Sequence, residues 1–332
     1  MPKLDRRQLF AGAAATGVLA ATASFAQPDM LDGEPNLSGK SILITGSSSG
    51  FGRVGAEYYA RLGARVFATM RNLPRPEADE LRRLAADEGL DLHVIEIDVL
   101  SDEQVAAGVA EAERINDGAI DVLVNNAGIS VAGPIEIQDM EATRLIFETN
   151  AFGPHRMARA VLPGMRAAKS GQIFNVTSQL GRVIVPAYGH YSPTKFALEA
   201  MSEQMAYELV PHGIDVTIIE PGGYPTKIWD NANVLTQHLL DRADERHLAG
   251  YPTMIEALRA RGMGGGGSTD PLDVPKAIAK IIAMPPGTRP LRKPVHPGYK
   301  PQIPINEASA KAQVDWLGGS PLGPMIKKVH HV

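Results

Sequence analysis

The chain has no cysteine among its 332 residues. Disulfides, thiol nucleophiles and thiolate-held metals are thereby excluded, while every redox compartment stays open. It also lacks a strong bias of charge. Against 33 Lys and Arg stand 37 Asp and Glu, a formal net charge of −4 that gives no reason to expect nucleic acid or an anionic membrane as partner. There is no internal repeat and no linker that would divide two domains. His190, His212, His238 and His247 show no metal-ligand spacing, so no metal site is expected. What is present is a 44% hydrophobic and 21% charged composition, that of a soluble globular protein. The length suits one large α/β domain or two ordinary ones.

The amino terminus bears on compartment. Lys3, Arg6 and Arg7 precede a small-residue apolar stretch from about Leu9 to Phe25, and Ser24-Phe25-Ala26 offers a small-x-small cleavage site before Gln27. That is the pattern of an export signal, and Arg6-Arg7 ahead of Leu9-Phe10 resembles the twin-arginine type. The stretch falls short of the ~20 strongly apolar residues a membrane anchor needs. The expectation is a cleaved signal at 1–26 and a periplasmic or otherwise exported protein; the alternative is a basic arm on a cytoplasmic one. A linker is expected at 27–38, one domain at 39–298 and a tail at 299–332.

Ile42-Leu43-Ile44 is a continuous apolar run, as in a strand buried on both faces of a parallel sheet. Phe51, Val54, Gly55, Tyr58 and Leu62 then recur at helical spacing. Further strands are expected at 66–69, 92–99, 122–124, 173–176, 216–219 and about 289–295. Helices are expected near 77–88, 102–115, 143–152, 191–210 and 273–282. This alternation predicts an α/β fold with a doubly wound parallel sheet of Rossmann type. A helical lid at about 227–268 interrupts it. Trp229, Leu239, Leu240, Leu248, Tyr251 and Met254 either line an apolar pocket there or form the lid's own core.

Gly46, Ser48, Ser49, Gly50, Phe51 and Gly52 lie between the first strand and its helix. Glycine permits close backbone approach, and a helix amino terminus presents free N–H groups to an anion. The spacing Gly-x3-Gly-x-Gly differs from the Gly-x-Gly-x2-Gly fingerprint. Further on, Tyr191 and Lys195 stand four apart, on one face of a helix, and Ser178 precedes the tyrosine by thirteen residues. A free phenol has a pKa near ~10, and a nearby ammonium is expected to lower it toward a useful range.

With Asn125-Asn126-Ala127-Gly128 and Pro221-Gly222-Gly223-Tyr224-Pro225-Thr226 in the same order, the chain from about residue 40 to 230 resembles the short-chain dehydrogenases/reductases. The resemblance implies that Tyr191 is the general acid/base and that Ser178 polarises the reacting oxygen. It implies that Lys195 binds the nicotinamide ribose and tunes the tyrosine, and that Asn150 holds a relay water. Asp98 and Val99 would meet the adenine, Asn125, Ala127 and Gly128 would lie along the cofactor, and Pro221, Gly222 and Thr226 would meet the nicotinamide end. A homodimer or homotetramer is implied likewise. Where an acidic residue would read the ribose diol, the second strand ends in Met70-Arg71, and a guanidinium suits phosphate. NADP(H) is therefore the expected cofactor, and reversible carbonyl–alcohol exchange on a small molecule, apolar if the lid residues line its pocket, the expected chemistry. A non-catalytic NADP(H)-binding regulator remains open, as does a sugar-nucleotide epimerase or dehydratase, whose usual Gly-x2-Gly-x2-Gly loop is absent.

Overall fold

In the computed structural model, residues 33–265 and 267–332 are described. The expected export signal at 1–26 and residues 27–32 of the expected linker lie outside them. Residues 34–332 form one compact body, and the linker's end belongs to it. Leu37 is a core residue, 1% exposed, and its N–H donates to the Leu62 carbonyl at 2.8 Å.

The body is built on seven parallel strands: β1 (Ser41–Ile44), β2 (Arg65–Met70), β3 (Leu92–Glu96), β4 (Val122–Asn125), β5 (Gly171–Val176), β6 (Ile214–Pro221) and β7 (Arg292–Val295). Their spatial order is β3-β2-β1-β4-β5-β6-β7. The order reverses between β1 and β4, the position at which a doubly wound sheet opens a cleft beyond its strand ends.

Side-chain alternation feeds two cores. Ile42, Ile44, Val66 and Ala68 pack with Tyr59, Leu81, Ile278 and Ile282. These come from α1 (Gly50–Arg61), α2 (Pro76–Glu88) and, later in the chain, the helix Asp273–Ile282. Leu43, Phe67, Leu123 and Ile173 pack the other way, with Val105, Val109, Met157, Val161 and Ala206, from α3 (Asp102–Asn116), α5 (Gly153–Ala168) and α6 (Tyr191–Leu209). Each large aliphatic buried this way contributes roughly 1.5–3 kcal/mol, and the central strands β1 and β4 accordingly read as apolar runs. Between α3 and α5 comes α4 (Met140–Phe147), capped by the Asp139 carboxylate accepting from the Ala142 N–H at 2.7 Å.

The lid comprises α7 (Ile228–Arg242), α8 (Glu245–Leu248) and α9 (Pro252–Arg261). It has a small core of its own, where Leu239, Leu240, Leu248 and Ile255 meet Val131 and Ile137. Arg242 donates to Asp139 at 2.6 Å, and Tyr251 and His247 both reach Glu136. α10 (Asp273–Ile282) returns the chain to the sheet before β7. Two helices follow, α11 (Ile303–Leu317) and α12 (Gly323–His330). α11 buries none of its residues fully; Ala310, Val314 and Leu317 are half-buried at helical spacing.

Three boundaries move. β3 ends at Glu96, so Asp98 and Val99 lie in the loop beyond it, not at its end. β7 begins at Arg292. The helix expected through Asn150 is α4 followed by a π-turn at Glu148–Phe152. No helix among the described residues is long and apolar enough to cross a membrane.

Candidate active site

A cleft of about 590 Å³ opens where the strand order reverses, walled by the ends of β1, β2, β4, β5 and β6 and by the lid. Its two ends are chemically different.

One end is the glycine turn. A Cβ at Gly52 would stand 2.3 Å from the Gly46 carbonyl oxygen, and one at Gly46 would stand 3.0 Å from Ala127 Cα. Only glycine lets the turn, α1 and the β4 loop close this tightly, and Gly46 and Gly50 also take positive φ. Ser49 caps α1 without using its side chain, so the first N–H groups of α1 have no side-chain partner there. Gly46, Ser48, Ser49, Gly50 and Phe51 line the cleft, as do Arg71, Asp98, Val99, Ala127, Gly128, Pro221, Gly222 and Thr226. Gly52 does not, because its role is the close contact behind the turn.

Asn125, expected along the cofactor, is also absent from the wall. Strand alternation turns its amide inward, where it donates to Asn175 Oδ1 at 2.8 Å. Its neighbour Asn126 lines the cleft instead and is fixed by Thr45, whose hydroxyl accepts from the N–H groups of Asn126 and Ala127. Arg75 was also missed. It lines the cleft beside Arg71 and pairs with Glu77 at 2.9 Å; a second basic residue four places after Arg71 was the available signal. Glu96, at the end of β3, is occupied with the Leu73 N–H at 3.1 Å.

The other end gathers Ser178, Tyr191 and Lys195. Ser178 follows β5 and caps the 3-10 turn Gln179–Gly181, accepting from the Leu180 N–H at 3.1 Å. Tyr191 is the first residue of α6, consistent with Pro193 in the first helical turn. Lys195 is 4% exposed. Its Nζ donates to the Val176 carbonyl at 2.9 Å and stands 5.6 Å from the centre of the Tyr191 ring.

Burial works against charge on both groups. It pushes the Tyr191 phenol up to about 12, with the Ser178 hydrogen bond pulling the other way. It brings Lys195 down to about 8, against the pull of Glu199. The lowering of Tyr191 expected from the lysine spacing is not found in this geometry, where burial sets the direction of the shift. Tyr188 also lines the cleft, and burial raises its pKa too.

Asn150 stands behind the wall, fully buried. Its amide accepts from the Ile129 N–H at 2.8 Å and donates to the Ile129 carbonyl and to Thr194 Oγ1. The π-turn, a feature frequent at functional sites, aims it there. Of the lid residues proposed as pocket lining, only Trp229 is in the wall; Leu239, Leu240 and Leu248 belong to the lid's core. The apolar wall is made by Leu180, Val185, Ile228, Val234 and Leu235. Among the described residues, no three His, Asp or Glu side chains gather as metal ligands.

A switch-point cleft with a glycine cradle at one end and a serine, a tyrosine and a lysine at the other defines a doubly wound α/β enzyme. Residues 40–235 match the short chain dehydrogenase family. The chain is 34% identical over 244 residues to a 3-ketodihydrosphingosine reductase of Bacteroides thetaiotaomicron, across 73% of this chain and 83% of that protein. It is 33% identical over 276 residues to retinol dehydrogenase 8 of Bos taurus, across 80% and 84%. Among solved structures it is similar to a gluconate 5-dehydrogenase of Burkholderia cenocepacia in complex with NADP and tartrate, with 30% identity, 62% of this chain and 81% of that one covered, and a TM-score of 0.55. The chain belongs to the short chain dehydrogenase family and is an oxidoreductase of alcohols and carbonyls.

Proposed function

We propose that the protein is an NADP(H)-dependent oxidoreductase that interconverts a carbonyl and a secondary alcohol on an apolar small molecule, with Tyr191 moving the proton. The observation that carries this is one cleft joining the glycine cradle to Ser178, Tyr191 and Lys195. The cradle fits a dinucleotide phosphate, because Gly46 and Gly52 let the turn, α1 and the β4 loop close tightly and the amino terminus of α1 favours an anion. Arg71 and Arg75 would meet a 2′-phosphate, and Thr226, next to Gly50, the nicotinamide end. When bound, the nicotinamide supplies or accepts the hydride.

The chain's own groups handle the oxygen. Ser178 Oγ donates a hydrogen bond to the substrate oxygen and fixes its position. Tyr191 Oη gives that oxygen a proton in reduction and takes it back in oxidation. Lys195 Nζ, as an ammonium, favours the phenolate that Tyr191 becomes after giving up its proton. Leu180, Val185, Ile228, Val234 and Leu235 exclude water and receive an apolar substrate body. The reductase and retinol dehydrogenase names of two relatives support the alcohol–carbonyl class.

The test is a panel of aldehydes, ketones and alcohols followed by NADPH absorbance, with Tyr191→Phe as control. Loss of the hydroxyl is expected to lower turnover about 10²- to 10⁴-fold while NADPH affinity is retained. Unchanged turnover in Tyr191→Phe refutes the mechanism.

A further inference from the structure

Behind the reactive end lies a buried ionic cluster that the mechanism above does not use. Glu199, one helical turn after Lys195 on α6, is 2% exposed. Its Oε1 accepts from the Thr177 hydroxyl at 2.7 Å, and its Oε2 accepts from Arg292 Nε of β7 at 2.9 Å. Arg292 also donates to Glu203 at 2.6 Å, so the guanidinium is held in place from two sides.

The position of these contacts matters more than their number. Thr177 immediately precedes Ser178, and its backbone N–H donates to the Ile219 carbonyl of β6 at 2.8 Å. On the far side of Ser178, the 3-10 turn closes directly on the stem of Glu199. A Cβ at Gly181 would stand 3.1 Å from Glu199 Cγ and 3.3 Å from the Lys195 carbonyl oxygen. Glu199 thus touches the chain just before and just after Ser178, from the helix that carries Tyr191 and Lys195. A solely structural ion pair would not need to be placed at this junction. A buried carboxylate is costly unless paired, and here Arg292 and Thr177 supply the pairing.

We propose that Glu199 is a positioning residue: it sets the register of the Thr177–Gly181 segment against α6, and so the place of Ser178 relative to Tyr191 and Lys195. The role rests on the reading of those three residues as the reacting groups, since Glu199 acts only through them.

The test introduces Glu199→Gln, which keeps the size and removes the charge, into the full-length chain and into a Ser178→Ala chain. Thr177→Val, which removes only the linking hydroxyl, is made in both backgrounds as well. Reduction of the most rapidly reduced member of a medium-chain aldehyde and ketone panel is measured, together with NADPH binding by fluorescence and the melting temperature. Glu199→Gln is expected to lower kcat/KM about 10- to 100-fold, as small misplacements of reacting groups do, with NADPH affinity changed less than about 3-fold. In the Ser178→Ala background the further loss should shrink below about 3-fold, because coupled residues are non-additive.

Equal multiplicative losses in both backgrounds, or no loss in either, overturn the positioning role and leave the oxidoreductase reading intact. Undiminished turnover in Ser178→Ala alone, or no NADPH oxidation with any panel member, overturns the underlying reading instead. If Glu199→Gln melts below the assay temperature, Thr177→Val decides by the same comparison.

Discussion

At the scale of single residues, burial rather than spacing sets the protonation states. Lys195, brought down to about 8 from the ordinary 10.5, loses its ammonium as pH rises through that value, whereas Tyr191 at about 12 does not titrate there. If the ammonium is required, kcat/KM for reduction should fall about tenfold per pH unit above about 8. In Lys195→Arg, whose guanidinium stays charged, the residual activity should show no such limb. A pH–rate profile of both proteins checks this. Arg71 carries a second prediction. Replacing it with Asp puts a carboxylate at the end of β2 that repels a 2′-phosphate and accepts from a ribose diol. Arg71→Asp should reverse the ratio of kcat/KM for NADPH over NADH, and an unchanged ratio would count against the NADP(H) assignment. Arg75 lines the same wall, and Arg71→Asp/Arg75→Ala should widen that reversal.

At the scale of elements, the strand runs and the start of α6 were legible because burial on both faces and a proline in the first turn leave local marks. The π-turn at Asn150 left none, since its geometry is fixed by contacts to Ile129 and Thr194, which are distant in sequence. The tie between β6 and α11 was equally silent. Glu220, fully buried at the end of β6, accepts twice from Asn306 of α11, at 2.7 and 3.0 Å. Burial and the charge of Glu199 raise it from 4.5 to about 8. The sign follows from linkage: the folded state prefers the neutral form, so this group's contribution is complete below about pH 4.5. It is lost progressively as pH rises to about 8. Glu220→Gln stays neutral and should melt higher than the parent protein above about pH 8, with the gap closing toward about pH 5. Parallel melting curves across that range would refute the assignment.

At the scale of the whole molecule, the body from residue 34 to 332 joins sheet, lid and tail. The lid sits over the cleft through Thr236, whose hydroxyl accepts from the Ala132 N–H at 2.8 Å, and through the Arg242–Asp139 pair. α12 reaches α6 through His330 and the Tyr207 hydroxyl, 2.7 Å apart. Residues 1–26 resemble a twin-arginine signal, and we propose export with cleavage before Gln27. Amino-terminal sequencing of the protein from the periplasmic fraction should read Gln27. Recovery only from the cytoplasm, with residues 1–26 intact, would exclude export.

The sequence alone determined the α/β alternation, the glycine turn and the spacing of the serine, tyrosine and lysine that meet in the cleft. Each of these is written in local features: apolar periodicity, glycine where backbones must touch, and a four-residue helical step. The tertiary structure alone decided which neighbour of a motif faces the cleft, as with Asn126 in place of Asn125. It also decided that burial raises the Tyr191 phenol, and that Glu199, Arg292 and Glu220, from α6, β7 and β6, meet beneath Ser178. The reason is physical: burial joins residues distant in sequence, as with Glu199 and Arg292, 93 positions apart, and no local pattern records them.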